Sequence, residues 1–306
     1  MNRSLQIRGV IMDSKKYDII KKQKGFIAAL DQSGGSSGKT LEKYGIDKSM
    51  YKNDEEMFEL IHEMRKRVFM SKAFTNKHII GTILFEKTML SKVGDEYTAD
   101  YLWNKKKIVS FLKVDNGLEE EKNGVKLMKE IPDLSNKLNE AKEKNIFGTK
   151  MRSVIYEANE AGIKEIVKQQ FEFAKVICDS GLVPIIEPEV DINANDKEKC
   201  EEILKREIKK VLENWNSKDK IMFKFTIPTV ENYYLELYDY ECVVRIVALS
   251  GGYDMEKATN LLSKNKLMIA SFSRALLQDL NVNQTDEEFD EKLEKAIIKI
   301  YNASIT

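Results

Sequence analysis

Charged residues recur where apolar runs of this sequence should end, and their spacing suits chemistry. In Met222-Phe223-Lys224-Phe225-Thr226-Ile227-Pro228, one lysine interrupts a stretch that otherwise reads as a buried strand. Alternation with period two places Met222, Lys224 and Thr226 on one face and Phe223, Phe225 and Ile227 on the other, so the lysine points away from the aromatic anchors. Desolvation lowers an ammonium pKa from about 10.4 and leaves a neutral, nucleophilic amine, which an imine-forming enzyme needs. Taken alone, the stretch also fits a lysine that snorkels out at a strand end.

Other runs carry charges in the same way. One closes on Asp31; another carries Lys113; a third carries Lys150 and Arg152, and a fourth Glu187 and Glu189. Residues two apart on a strand share a face, so the last two runs present paired cations and paired carboxylates. Carboxylates held close tend to keep one proton between them, which suits general acid–base work. Exposed strand tips would not so regularly end apolar strands in charges. The final two runs end in Leu249-Ser250-Gly251-Gly252 and Ser271-Phe272-Ser273-Arg274. Glycines that let backbone N–H groups approach an anion, with hydroxyls and an arginine nearby, make a phosphate cradle.

The stretch Ser33-Gly34-Gly35-Ser36-Ser37-Gly38-Lys39-Thr40 nearly matches the nucleotide-binding loop G-x-x-x-x-G-K-[ST]. Ser33 replaces the first glycine, and no strand is recognisable as the one whose terminal aspartate would hold the Mg²⁺ of such a loop, so a nucleoside triphosphatase is set aside. Ser33 and Ser36 remain candidates for contact with a second phosphate. His62 and His78 are the only histidines, one in a helical pattern and one just before a strand, and neither belongs to a zinc-like set. No metal cofactor is expected.

Positioning these groups requires a repeated scaffold. Apolar runs lie at 25–31, 79–86, 108–115, 147–155, 183–190, 221–228, 243–250 and 268–273, giving eight candidate strands. Amphipathic helical patterns separate most of them, such as Met57, Ile61, Met64 and Val68, or Ile163, Val167, Phe171 and Ala174. Thr285 and Glu288 form a capping box for a last helix carrying Phe289, Leu293, Ala296, Ile297 and Ile300. Eight strands alternating with helices predict an α/β (β/α)8 TIM barrel, with an open doubly wound sheet as the alternative. Charged strand ends favour the barrel, where working residues sit at the carboxyl ends of strands. No linker, repeat or low-complexity tract divides the chain, so a single domain spanning 1–306 is expected. Residues 1–24 would form a helical extension outside the main fold, 25–276 the barrel strands, and 277–306 a C-terminal helix and tail.

Composition narrows the function. The 306 residues are 42% hydrophobic, enough for a large core, and 50 basic residues balance 50 acidic ones. No net field draws nucleic acid or an anionic membrane, so neither is an expected partner. Cys178, Cys200 and Cys242 are scattered and odd in number, which fits a reducing compartment. Residues 1–10 lack the apolar core of a signal peptide and no run reaches about 20 apolar residues, so a cytoplasmic protein is expected.

The same residues resemble class I fructose-bisphosphate aldolases of the bacterial type. The resemblance rests on Leu30-Asp31-Gln32-Ser33-Gly34-Gly35, Leu112-Lys113-Val114-Asp115-x-Gly117, Lys150-x-Arg152, Glu187-Pro188-Glu189, Lys224, Leu249-Ser250-Gly251-Gly252 and Ser273-Arg274, in the family's order. It stops short of the end, where Tyr301 is followed by five further residues instead of closing the chain as a terminal tyrosine does in the animal enzymes.

The resemblance implies reversible, metal-independent cleavage of fructose 1,6-bisphosphate to dihydroxyacetone phosphate and glyceraldehyde 3-phosphate through a lysine Schiff base, in glycolysis and gluconeogenesis. It implies Lys224 as the imine-forming amine, Glu187 with Glu189 as acid and base, Asp31 as the group taking the C4 hydroxyl proton, and Lys150 as a like charge beside Lys224. Lys113 and Arg152 would hold substrate or its distal phosphate; Ser250, Gly251, Gly252, Ser273 and Arg274 would hold the near one. Partners would be sugar phosphates; a homo-oligomer is compatible with the sequence, which shows no interface by pattern. Other Schiff-base aldolases, transaldolase and a non-catalytic sugar-phosphate-binding barrel are the alternatives.

Overall fold

The computed structural model describes residues 5–7 and 10–306, with side chains from Asp13 onward. Eight parallel strands follow one another around a barrel: β1 (Phe26–Leu30), β2 (Ile79–Leu84), β3 (Val109–Lys113), β4 (Gly148–Ile155), β5 (Val183–Val190), β6 (Ile221–Thr226), β7 (Val243–Leu249) and β8 (Ile269–Ala270). Each pairs with its successor, and the seam closes where Ala29 N–H donates to the Phe272 carbonyl at 3.1 Å. All eight expected runs become strands, and the open sheet is excluded. Their apolar character on both faces reflects burial on both, outward against helices and inward against one another.

The interior shows why particular residues are small. Phe111 fills the barrel centre beside Gly148, where a Cβ would lie 2.1 Å from the Val183 carbonyl oxygen and 2.8 Å from the Phe111 ring. Only glycine leaves room at this position for both the carbonyl of β5 and the ring from β3.

The N-terminal helix α1 (Ser14–Lys22) is capped by the Asp13 side chain, which accepts from the backbone of Lys15 and Lys16. It does not lie outside the main fold. Its Tyr17 and Ile20 pack with Ile27, Ile80, Val109, Phe111 and Met222 in the inner cluster. Arg245, near the start of β7, donates from Nε to the Ile20 carbonyl at 2.8 Å and from Nη2 to the Gln23 carbonyl at 3.1 Å. The helix thus closes the amino end of the barrel, because an amphipathic stripe meets an apolar opening there. Ahead of it, Leu5–Ile7 pairs antiparallel with Val10–Met12. The rest of the expected extension, residues 1–4, 8 and 9, lies outside the described residues.

Helices α2 (Gly35–Tyr44), α3 (Asp54–Met70), α4 (Leu134–Glu143), α5 (Glu160–Asp179), α6 (Lys197–Leu212), α7 (Met255–Leu262) and α8 (Asp286–Ser304) bury their apolar stripes on the outside of the strands. The Thr285–Glu288 capping box starts α8 as expected. The three cysteines are buried and free. No helix among the described residues is long and apolar enough to cross a membrane.

Candidate active site

At the carboxyl ends of the strands the barrel opens into a cavity of about 340 Å³. Asp31 follows β1, Lys113 ends β3, Lys150 and Arg152 stand within β4, Glu187 and Glu189 within β5, and Lys224 within β6. Ser250 and Gly251 follow β7, and Ser273 and Arg274 follow β8. All of them line this cavity, together with Ser33 and Ser36 at the start of α2. Of the expected site residues only Gly252 falls elsewhere, in a neighbouring cavity of about 350 Å³.

The charges are sorted into pairs. Glu187 takes Lys224 Nζ on Oε1 at 2.9 Å and Lys150 Nζ on Oε2 at 3.0 Å. Lys150 also meets Asp31 Oδ2 at 2.6 Å. These groups are nearly sealed from solvent, with Lys224 4% and Glu187 3% exposed. Burial works against ionisation of Asp31, but the Lys150 and Lys224 ammonium groups outweigh it and hold the carboxyl well below the usual carboxylate range. Lys150 shows the mirror case: burial works against its charge, and Asp31, Glu187 and Asp115 outweigh it, so its pKa is raised.

Glu187 and Glu189 share a face, as their spacing requires, yet no hydrogen bond joins them. Glu189 Oε2 accepts instead from Arg152 Nε at 2.5 Å. The two carboxylates are engaged by different cations, Glu187 by Lys150 and Lys224 and Glu189 by Arg152. Burial works against the Arg152 charge too, and Glu189 outweighs it and raises its pKa.

Five cations face four carboxylates around the cavity. Lys113, Lys150, Arg152 and Lys224 all have carboxylate partners. Among the described residues, Arg274 has none. It stands at the serine-rich end, beside the Ser250-Gly251-Gly252 turn, where a Cβ on Gly252 would lie 3.6 Å from Arg274 Nη2. Gly251 and Gly252 have φ of 61° and 121°, in the left-handed region that favours glycine, and a Cβ on Gly251 would meet Ile192 at 2.6 Å. An unpaired cation with hydroxyls and a glycine turn gives this end the donors that an anion would need.

Three lining residues with polar side chains were not among the expected site residues. Asp115 is buried and accepts Lys113 Nζ on Oδ1 at 2.6 Å; it shares the face of Lys113 by the parity that marks Lys150 and Arg152. Ser271, two before Ser273, is buried with an unpartnered hydroxyl. Gln32 follows Asp31 and bridges two loops. His62 and His78 lie away from the cavity, and Glu86 lies 3.6 Å from Lys137 outside it. Among the described residues, no group of three or more His, Cys, Asp and Glu side chains is arranged to hold a metal ion.

A parallel (β/α)8 barrel with buried lysine–carboxylate pairs and an unpaired arginine at its carboxyl end has the architecture of a barrel enzyme, whose site sits at that end. Comparison with known proteins narrows the class. The family described as fructose-bisphosphate aldolase class-I matches residues 12–229. The fructose-bisphosphate aldolase class 1 of Clostridium acetobutylicum is 58% identical over 295 residues, 96% of this chain and 100% of that protein. The fold is similar to that of the Plasmodium falciparum fructose-bisphosphate aldolase, solved in a ternary complex with TRAP and a small-molecule inhibitor. The TM-score is 0.75 at 19% identity, over 95% of this chain and 93% of that one. This chain belongs to the class I fructose-bisphosphate aldolase family.

Proposed function

We propose that this barrel cleaves fructose 1,6-bisphosphate reversibly into dihydroxyacetone phosphate and glyceraldehyde 3-phosphate, with Lys224 as the covalent amine. The observation that carries the assignment of Lys224 is its contact with Glu187 at 2.9 Å inside a nearly sealed pocket.

Lys224 Nζ attacks the C2 carbonyl to give a carbinolamine. Glu187 is within reach of that nitrogen: it first takes a proton from the ammonium to free the amine, a second nitrogen proton passes to the C2 oxygen as the carbinolamine forms, and Glu187 returns its proton to that hydroxyl, which leaves as water. The protonated imine then draws in the electrons of the C3–C4 bond, and the cleaved ketose half remains as an enamine. Asp31, held ionised by Lys150, receives the C4 hydroxyl proton as the aldehyde forms. Protonation of the enamine at C3 and hydrolysis of the imine return free Lys224 and release dihydroxyacetone phosphate.

Lys150 bridges Asp31 and Glu187, so it holds both proton-transfer groups against the reacting carbons. Arg274, with Ser250, Gly251 and Ser273, binds the phosphate of the ketose half. Lys113 and Arg152 hold the distal end, with Ser33 and Ser36 as outer contacts. Glu189 keeps Arg152 in place. The reading is of a metal-independent cytoplasmic enzyme whose partners are sugar phosphates; equal numbers of acidic and basic residues support no nucleic-acid role.

The deciding experiment is borohydride reduction in the presence of dihydroxyacetone phosphate, followed by intact mass and peptide mapping, alongside fructose 1,6-bisphosphate cleavage in excess EDTA. One adduct on Lys224 and undiminished turnover are expected. An adduct on another lysine, or turnover by a Lys224→Met variant, would overturn the assignment.

A further inference from the structure

A fully buried arginine lies outside the charge pairs of the cavity. Arg65, on α3, is 0% exposed and makes no ion pair among the described residues. Its apolar neighbours on the same helix, Ile61, Met64 and Val68, are what that face of an amphipathic helix calls for; a guanidinium there needs partners. Nη1 donates to Thr88 Oγ1 at 2.7 Å, and Nη2 donates to both the carbonyl of Gln32 at 2.7 Å and its side-chain Oε1 at 3.0 Å. Burial lowers the guanidinium to about 10, so it stays charged at neutral pH.

The consequence lies one residue further on. A guanidinium can only donate, so it must face the oxygen of the Gln32 amide, which turns the nitrogen the other way. That nitrogen, Nε2, donates to Ser273 Oγ across the seam between the loops of β1 and β8. Ser273 Oγ therefore accepts from Gln32, and its own proton stays free for the cavity, which Ser273 lines beside Arg274. Gln32 also forms part of the wall between the two cavities, since it lines both.

We infer that Arg65 is a positioning residue for phosphate binding: it fixes the Gln32 amide so that the Ser273 hydroxyl donates to the substrate. The inference rests on the phosphate site proposed at Ser273 and Arg274. It also explains an amide at position 32. A carboxylate there would accept the Ser273 proton and withdraw the donor from the phosphate.

The test uses Arg65→Met, Arg65→Lys and Gln32→Glu in the whole protein, with circular dichroism as the check on folding. The readouts are KM and kcat for fructose 1,6-bisphosphate and calorimetric binding of inorganic phosphate. Losing one hydrogen bond to a charged group corresponds to roughly ten- to hundredfold. Arg65→Met and Gln32→Glu should raise KM and weaken phosphate binding by about that factor, with kcat falling less than KM rises. Arg65→Lys, which restores donors to Gln32, should recover part of the loss. A folded Arg65→Met protein with wild-type KM and phosphate affinity, or one that loses kcat alone, would overturn the inference. If Arg65→Met does not fold, Gln32→Glu decides by the same criterion. A wild-type protein that binds phosphate but does not cleave the bisphosphate would sink the functional reading and leave the calorimetric test of Arg65 standing.

Discussion

Lys150 and Lys224 hold opposite oxygens of one carboxylate. Glu187 Oε2 lies 3.0 Å from the first nitrogen and Oε1 2.9 Å from the second, so neither lysine can move without disturbing the other. Neighbouring strands β4, β5 and β6 each supply one member of this bridge, and their pairing fixes its geometry.

Removing the bridging charge should therefore affect both activity and stability. Glu187→Gln should lower kcat by about 10²- to 10⁴-fold, the usual contribution of a general acid–base group. It should also cost about 3–5 kcal/mol, because buried ammonium charge is left uncompensated. Steady-state cleavage and urea denaturation measure the two effects.

Asp31 gives a prediction in pH. Its folded pKa is depressed below the ordinary 3.8, so its contribution to stability is present above that value and is lost as pH falls through the folded value. Lys150 is raised above 10.5, so its contribution is present below that pH and is lost as pH rises through its higher folded value. The stability difference between wild type and Asp31→Asn should stay constant across neutral pH and shrink in acid below about pH 4. Denaturant midpoints at a series of pH values would show it; a gap that widens in acid would contradict the sign.

The anion end should be separable from the covalent step. Arg274→Ala should raise KM for the bisphosphate by roughly ten- to hundredfold, the worth of a hydrogen bond to a charged group. Imine trapping at saturating dihydroxyacetone phosphate should survive. A loss of trapping that saturation cannot restore would place Arg274 in the chemistry instead.

Ile20→Ala tests the helix across the barrel floor. Truncating a fully buried isoleucine should cost about 2–5 kcal/mol. Because the cavity opens at the other end, kcat should stay near wild type. Thermal unfolding and steady-state rates on one preparation give both numbers.

Much of this arrangement is legible in the sequence, for definite reasons. Eight apolar runs with charges near their ends mark strands, and parity sorts Lys150 with Arg152 and Glu187 with Glu189 onto inward faces. The same parity, applied to Lys113, points to Asp115, and applied to Ser273 points to Ser271. Arg65 is visible only as a cation in the apolar stripe of α3; a helical period reveals the anomaly but not its partners. The role of α1 is hidden for a similar reason. Tyr17 and Ile20 announce a buried face, while what they cover depends on the closure of strands far along the chain. The pairing of Glu189 with Arg152 depends on side-chain reach across β4 and β5, which spacing along one strand does not encode.

Tyr17 and Ile20 at the floor join Phe111 and Met222 in one packed apolar plug, so the cavity at the carboxyl ends of the strands has a solid base. If Lys224 holds the ketose half as proposed, the two guests keep an order: in cleavage the aldehyde half departs while the ketose half is still tethered, and in the condensing direction the ketose is tethered before the aldehyde follows. The covalent bond would then act as a turnstile set above that plug.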